Sequence, residues 1–150
     1  MENIVPGDFE PLLRATGFAS AFGTVYLNRK TTTLGFRITA CHVNATGNCH
    51  GGAMATFADM QIAAIVRSGL IATERHTPTI NLSVDYIAPV PLGAWVEANV
   101  ILIKQTKSLI FTQALITVNG QSVARANAIY RNYGTAVAVP RPGAHSCVSA

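Results

Sequence analysis

Asp59 is the only charged residue in an apolar stretch that follows a glycine-rich turn. Between Ala53 and Val66 the only polar side chains are those of Thr56, Asp59 and Gln61. A helix that is apolar nearly all round is normally buried, and a buried carboxylate without a partner is costly. No Lys or Arg lies three or four residues away on either side. We therefore interpret Asp59 as a candidate catalytic carboxylate; the alternative is an exposed Asp, or one paired with another subunit.

Two glycines, Gly51 and Gly52, immediately precede this stretch. Glycine lets backbone approach a ligand closely, and the first N–H groups of a helix have no internal partners. Together with the helix dipole they form a site for negative charge, and they can stabilise the oxyanion of a carbonyl under attack. The alternative is that the pair only makes a tight turn.

The distance between these two features has a consequence for assembly. Asp59 lies eight residues after Gly51, which is roughly 12 Å along a helix axis. A base and an oxyanion hole must both come within about 3 Å of the reacting carbon or its water. If both groups are catalytic, the site must combine two helices that are packed antiparallel across a two-fold axis. The spacing then predicts at least a dimer with composite sites.

The remaining sequence predicts the elements that position these groups. The pattern favours a short helix over residues 8–14, strands at 24–28 and 34–39, and a long helix that ends near Gly69. After Pro78, runs rich in Val, Ile and Thr predict four successive strands, at 79–86, 94–104, 108–118 and 121–130, which we expect to form an antiparallel meander. Asn119-Gly120 predicts a two-residue hairpin turn. We expect an α+β fold in which an antiparallel sheet of about six strands wraps one helix.

The composition narrows the class of protein. The chain is 49% hydrophobic and only 12% charged, whereas charged residues average about a quarter of soluble proteins. This favours burial between subunits over a well-packed monomer. The net charge is +4, and the Lys and Arg residues are scattered along the sequence. This distribution disfavours nucleic-acid binding and suits a small anionic ligand. No apolar run is long enough for a membrane span, and three unpatterned cysteines suit a reducing, cytoplasmic location.

Three segments carry a resemblance to a known family: Asn44-x-x-Gly47-x-x-His50-Gly51-Gly52-x₆-Asp59, Asn81-Leu-Ser-Val-Asp-Tyr86-Ile-Ala-Pro89, and Lys104-Gln-x-Lys107-Ser-Leu-x-Phe111-Thr. Over residues 5–132 the chain resembles hotdog-fold acyl-CoA thioesterases of the phenylacetyl-CoA thioesterase type. The resemblance implies a long helix wrapped by an antiparallel sheet, a side-by-side homodimer, and often a tetramer built as a dimer of dimers.

The same resemblance implies roles for five residues. Asp59 would activate the hydrolytic water or, as the alternative, attack the thioester directly. The Gly51 N–H would polarise the thioester carbonyl, and Asn44 would help to orient it. His50 would hold the turn by hydrogen bonding, and Thr79 would stand beside the water. The plainer alternatives are a turn residue for Asn44 and an ordinary strand residue for Thr79.

Other residues are candidates for substrate binding. Gly52 belongs to the same anion-binding turn, and Lys104, Lys107 and Arg125 are candidates for the phosphates of coenzyme A; simple solvation is the alternative for the three cations. The Cys-His pairs at 41–42 and 49–50 lack the spacing of a zinc site, and adjacent strand residues point in opposite directions. We expect no metal and no cofactor, since coenzyme A is part of the substrate.

These observations predict a hotdog thioesterase domain at residues 1–133 and a flexible tail at 134–150. The predicted activity is hydrolysis of an acyl- or aryl-acyl-CoA thioester to the free acid and coenzyme A. A thioester is already activated, so one general base and an oxyanion hole suffice. The alternatives are a non-catalytic acyl-CoA sensor and a hotdog hydratase or dehydratase, although the chain has no Asp-x-Asn-Pro-x-His motif.

Overall fold

The computed structural model describes residues 4–12, 16–73 and 76–134. In that part of the chain, seven strands form one antiparallel sheet around a broken central helix. In chain order the elements are β1 (Glu10–Pro11), α1 (Phe18–Phe22), β2 (Tyr26–Asn28), β3 (Thr33–Arg37), a 3₁₀ turn (Ala40–His42), α2 (Gly51–Asp59), α3 (Gln61–Arg67), β4 (Thr79–Tyr86), β5 (Trp95–Gln105), β6 (Leu109–Val118) and β7 (Gln121–Arg131).

The strands stand in the order β1-β2-β3-β5-β6-β7-β4. The expected α+β arrangement is confirmed, but the expectation that four successive strands follow one another in space is wrong for β4. This strand pairs with β7 at one edge, while β5 pairs with β3 and β6. The connection between β4 and β5 does not form a hairpin, because its backbone is hydrogen-bonded to earlier parts of the chain. The Val90 carbonyl accepts from the Cys49 N–H (2.7 Å), and the Ala94 carbonyl accepts from the Ile38 N–H (2.9 Å).

The N-terminal segment is extended, so the predicted helix over residues 8–14 is wrong where the structure describes it; residues 13 and 14 of that prediction lie outside the described residues. Glu10 and Pro11 pair with β2 as an edge strand. Phe9 packs edge-on against Trp95, with ring centroids 5.4 Å apart. This tertiary contact outweighs a weak local preference for helix, and an edge position tolerates a proline that has no N–H.

The central helix begins at Gly51, so that the two glycines expected just before the helix form its first turn, and it is broken at Met60, which separates α2 from α3. Both segments bury one face completely, at Phe57, Ala58, Ala64 and Ile65. The helix ends at Arg67, and Gly69 follows with a positive φ of 76°, which confirms the predicted stop.

The helix packs on the inner face of the sheet. In β7 that face carries the buried alanines Ala124, Ala126 and Ala128, which are small enough to let a helix approach closely. Asn119 and Gly120 both have positive φ, 48° and 77°, as the predicted hairpin turn between β6 and β7 requires.

No helix in the described ranges is long and apolar enough to cross a membrane. Apart from Gly134, the predicted tail at 134–150 lies outside the described residues.

Candidate functional site

Asp59 is the last residue of α2 and is partly buried. Thr79, the first residue of β4, donates from Oγ1 to Asp59 Oδ1 at 2.8 Å. Within the described residues no cation forms an ion pair with this carboxylate. Asp59 lines a cleft of ≈ 340 Å³ together with Phe18, Met60 and Leu82. The second carboxylate oxygen is therefore available to a water or a ligand.

A β-bulge turns Thr79 toward Asp59. Asn81 pairs with Ile129, but Thr79 pairs with Tyr130, so Ile80 is the extra residue of the bulge. In an unbroken antiparallel register Thr79 would stand opposite Arg131, on the outer face of the sheet. Bulges re-aim side chains in this way next to functional sites. The structure thus brings two of the predicted site residues together through an irregularity that the sequence did not reveal.

Two residues behind Asp59 were not among the sequence predictions. The buried Tyr130 hydroxyl donates to the Asp59 backbone carbonyl at 2.8 Å. Burial first, and then the negative charge of Asp59, raise the pKa of Tyr130 far above its ordinary value. Gln61, also fully buried, donates from Nε2 to the Ala58 carbonyl at 2.9 Å. Gln61 was visible as a polar residue in an apolar stretch, whereas nothing in the sequence distinguished Tyr130 from other strand tyrosines.

The other end of α2 is the glycine turn. His50 caps the helix, and its Nδ1 accepts from the Gly52 N–H at 2.9 Å. This bond uses the Gly52 N–H, so Gly52 offers no free donor in the chain as it stands. The Gly51 N–H has no hydrogen-bond partner among the residues that the structure describes. One backbone donor at a helix N-terminus is thus left for a ligand.

The fold itself does not require glycine at position 51. Its backbone is outside the left-handed region, and a Cβ there would meet only the Tyr86 ring, at 3.4 Å, an ordinary contact. Gly35, by contrast, is enforced by packing, because a Cβ there would lie 2.3 Å from the Trp95 side chain. Packing within the chain therefore does not explain the glycine, which suits the close approach of another group to its N–H.

The space above Gly51 is a cleft of ≈ 440 Å³ whose lining includes Asn44, Cys49, Met54 and Tyr86. Asn44 Oδ1 accepts from the Thr46 N–H (2.9 Å) and hydroxyl (2.7 Å), which makes it a turn residue. Its Nδ2 has no partner within the described ranges, so it remains a possible donor to a ligand. Burial raises the pKa of the Cys49 thiol, which makes it a poor nucleophile at neutral pH.

On a single chain, Asp59 and Gly51 line different clefts. Strand β4 connects the two positions: Thr79 at its start bonds Asp59, and Tyr86 at its end donates to the Gly51 carbonyl at 2.9 Å. The strand therefore runs antiparallel to α2 along the full distance between the two predicted catalytic groups.

The predicted phosphate-binding cations do not form one cluster. Lys104 and Lys107 are exposed at the β5–β6 end of the sheet. Arg131, which the sequence analysis did not single out, lies near them through its pairing with Leu109. Arg125 lies elsewhere on β7, with its Nε bonded to Asp85 at 2.7 Å. Lys104, Lys107 and Arg131 thus lie near the C-terminal end of β7, whereas Arg125 lies nearer its start.

Among the described residues no three side chains of His, Cys, Asp or Glu come together as a metal site would need. His42 is occupied within the fold, with Nε2 2.5 Å from the Phe22 carbonyl and Nδ1 accepting from the Thr39 N–H at 3.0 Å.

Known proteins resemble this chain in sequence and in fold. The Thioesterase superfamily model matches residues 46–124, which contain both ends of α2 and all of β4. The chain is 25% identical over 133 residues to a proposed esterase of Pseudomonas aeruginosa, covering 84% of this chain and 96% of that protein. It is 35% identical over 78 residues to human acyl-coenzyme A thioesterase 13. This match covers 51% of this chain and 53% of the human protein, so the chain spans about half the length of that relative. Among solved structures, the Escherichia coli PaaI protein from the phenylacetic acid degradation operon superposes with a TM-score of 0.59 at 21% identity, covering 67% of this chain and 74% of that one.

Proposed function

Because the chain belongs to the thioesterase superfamily and has its hotdog fold, it is a thioester hydrolase, and we propose that its substrate is an acyl- or aryl-acyl-CoA. In this proposal water attacks the thioester carbonyl, and the products are the free acid and coenzyme A. No resident cofactor takes part, because coenzyme A enters and leaves with the substrate. The name of the human relative supports a coenzyme A ester and leaves the acyl group open.

Asp59 is the proposed general base. The observation that carries the proposal is its carboxylate, which faces a cleft, has no cationic partner within the described residues, and is bound through Oδ1 by Thr79. A carboxylate neutralised by an ion pair would be a weaker base, whereas this one keeps an oxygen for the proton of a water. The Gly51 N–H is the proposed donor to the developing oxyanion, with Asn44 Nδ2 beside it and His50 holding the turn.

The two groups meet in a homodimer in this proposal. Strand β4 is an edge strand of the sheet, and its outer backbone edge is free to pair with a copy of itself. If the two-fold axis passes between Leu82 and Ser83, Thr79 of one chain stands opposite Tyr86 of the other. Asp59, beside Thr79, then approaches the partner helix near the partner's Gly51. The first turn of the partner helix carries two glycines without side chains, which leaves room for a thioester carbonyl there.

The rest of the substrate has candidate contacts on both sides of this interface. Met54 lines the Gly51 cleft and Met60 lines the Asp59 cleft, and both suit an apolar acyl group. Gly52 belongs to the turn at the carbonyl, while Lys104, Lys107 and Arg125 are the proposed partners of the coenzyme A phosphates. The exposed outer-face residues Ile101 and Ile103, at 50% and 56%, support a further packing of two dimers into a tetramer.

The proposal is tested by measuring thiol release from a panel of acyl-CoAs by wild type, Asp59→Asn and Asp59→Ala. We expect wild type to turn over at least one thioester and both variants to lose on the order of 10²- to 10⁴-fold in kcat, the contribution of a general base. Glu10→Gln is the matched control, since Glu10 is an exposed carboxylate paired with Arg29 on β1, at the sheet edge opposite β4.

Wild-type turnover that survives in Asp59→Asn would remove Asp59 from the mechanism. Tight binding of acyl-CoA without turnover of any thioester would instead identify a non-catalytic sensor. Formation of a hydrated or dehydrated acyl-CoA, seen by mass spectrometry, would identify a hydratase or dehydratase.

A further inference from the structure

We propose that Tyr130 is a positioning residue for Asp59: its hydroxyl occupies the break in the central helix and sets the direction in which the carboxylate leaves the helix. The inference deepens the proposed function, because it explains how the proposed base is held at the angle its chemistry needs. Its effect on activity rests on the proposed function, whereas its effect on the structure rests on backbone and side-chain contacts of the chain itself.

The break at Met60 leaves backbone groups that a continuous helix would pair. Ala63 N–H donates to the Met60 carbonyl at 3.0 Å, one residue short of the usual partner, Asp59. The Asp59 carbonyl is therefore free of helical donors, and the Tyr130 hydroxyl binds it at 2.8 Å. Sharp helix kinks often arise where a side chain inserts into the hydrogen-bond ladder. Tyr130 is such a side chain, and it acts at the residue that carries the proposed base.

A second buried contact supports the same break. Gln61 Nε2 donates to the Ala58 carbonyl, and Thr112 Oγ1 of β6 donates to Gln61 Oε1, each at 2.9 Å. Tyr130, Gln61 and Thr112 are 0%, 0% and 2% exposed. The last two carbonyls of α2 are thus bound by side chains in the core and not by the next helical turn. A continuous apolar helix would avoid burying these polar groups, so the network stabilises one particular backbone direction.

The sheet register joins this network to the carboxylate itself. Thr79 and Tyr130 are cross-strand partners in the β4–β7 pair, and their side chains reach the same residue. Thr79 binds the carboxylate of Asp59 and Tyr130 binds its backbone carbonyl. Two points of attachment, one on the main chain and one on the side chain, restrict the rotation of the carboxylate. We refer to Thr79 and Tyr130 as the Asp59 clamp.

The test is Tyr130→Phe, which removes the hydroxyl and keeps the ring. In a crystal structure of the variant we expect Ala63 N–H to move to the Asp59 carbonyl and the Thr79–Asp59 hydrogen bond to be lost. In the thiol-release assay we expect kcat to fall on the order of 10- to 100-fold, as a small misplacement of a reacting group does, while KM changes less than about twofold. Tyr26→Phe is the matched control, because this tyrosine packs on Trp95 and its hydroxyl has no hydrogen bond within the described residues.

Thr112→Val is a second variant, near in shape, that removes the hydroxyl bound to Gln61 and lying beside Tyr130 but keeps the Tyr130 hydroxyl itself; we expect the same split between kcat and KM with a smaller loss. An unchanged break at Met60 and an unchanged Thr79–Asp59 bond in Tyr130→Phe would overturn the proposal. The proposal would also be overturned if the activity lost in Tyr130→Phe were fully accounted for by a lower fraction of folded protein. If wild type hydrolyses no thioester, the proposed function fails, and the crystal structure of the variant still decides whether Tyr130 positions Asp59.

Discussion

Gly51 and Gly52 are adjacent, yet the structure gives them different reasons to be glycine. A Cβ at position 52 would press on His50 Nδ1 at 3.0 Å, against the cap of the helix. A Cβ at position 51 would meet only the Tyr86 ring at ordinary contact distance. Position 52 is therefore constrained by the helix cap, whereas position 51 is open toward the cleft where the proposed oxyanion would lie.

This difference predicts opposite effects of two alanine substitutions. Gly51→Ala should keep or raise the melting temperature, since Ala is favoured over Gly in a helix by up to about 1 kcal/mol, but kcat should fall at least about tenfold because a methyl group hinders approach to the N–H. Gly52→Ala should lower stability by about 0.5–2 kcal/mol through loss of the cap. Thermal melts and thiol-release kinetics on both variants make the comparison; equal kcat values for wild type and Gly51→Ala would contradict the role of this N–H.

At the scale of elements, an irregularity in β4 and a break in the helix meet at Asp59. The bulge at Ile80 turns Thr79 to the inner face, and the break at Met60 frees the carbonyl that Tyr130 binds. Both features interrupt a regular hydrogen-bond pattern, and each interruption puts a hydroxyl on Asp59. Departures from local regularity that concentrate at one residue are typical of functional sites.

The role of the bulge is tested by changing only the hydroxyl that it redirects. Thr79→Val keeps the shape and strand preference of the residue, and we expect kcat to fall about tenfold with little change in melting temperature, since one hydrogen bond to a charged group is lost. Thr79→Ser, which keeps the hydroxyl, should retain most of the activity. If Val and Ser variants have the same kcat, Thr79 is an ordinary strand residue.

At the scale of the whole molecule, one chain holds both proposed catalytic groups but in separate clefts. Strand β4 lies at the sheet edge and links the two clefts. If β4 pairs with its copy, the Asp59 cleft of one chain would lie beside the Gly51 cleft of the other. A symmetric dimer uses the same patch on both chains. The composite site is thus a consequence of where the edge strand lies relative to the helix.

Mixed dimers test this assembly directly. Asp59→Asn and Gly51→Val, each inactive alone, should recover about a quarter of wild-type activity when co-expressed, because half of the dimers are mixed and one of their two sites is intact. Light scattering coupled to size exclusion checks that each variant is still a dimer. Absence of any recovery in mixed dimers would place both groups in one chain's site or exclude one of them from it.

The sequence alone determined the local features of this protein. The start of the helix at Gly51, its stop before Gly69 and the hairpin at Asn119-Gly120 follow from backbone preferences of neighbouring residues, and Asp59 was conspicuous by its charge. The thioesterase fold was recognisable for the same reason, since each of the three motifs that carry the resemblance lies within a short stretch. The predicted helix at 8–14 failed because a distant partner, Trp95, decides the conformation there.

Only the tertiary structure decided which residues surround Asp59. The place of β4 beside β7, the bulge that turns Thr79 inward and the entry of Tyr130 into the helix depend on register between strands about fifty residues apart in the chain. Such register is set by the packing of an entire face of the sheet, because a shift of one residue moves every side chain of a strand to the opposite face. Local pattern can therefore identify the carboxylate, while long-range pairing selects the hydroxyls that hold it.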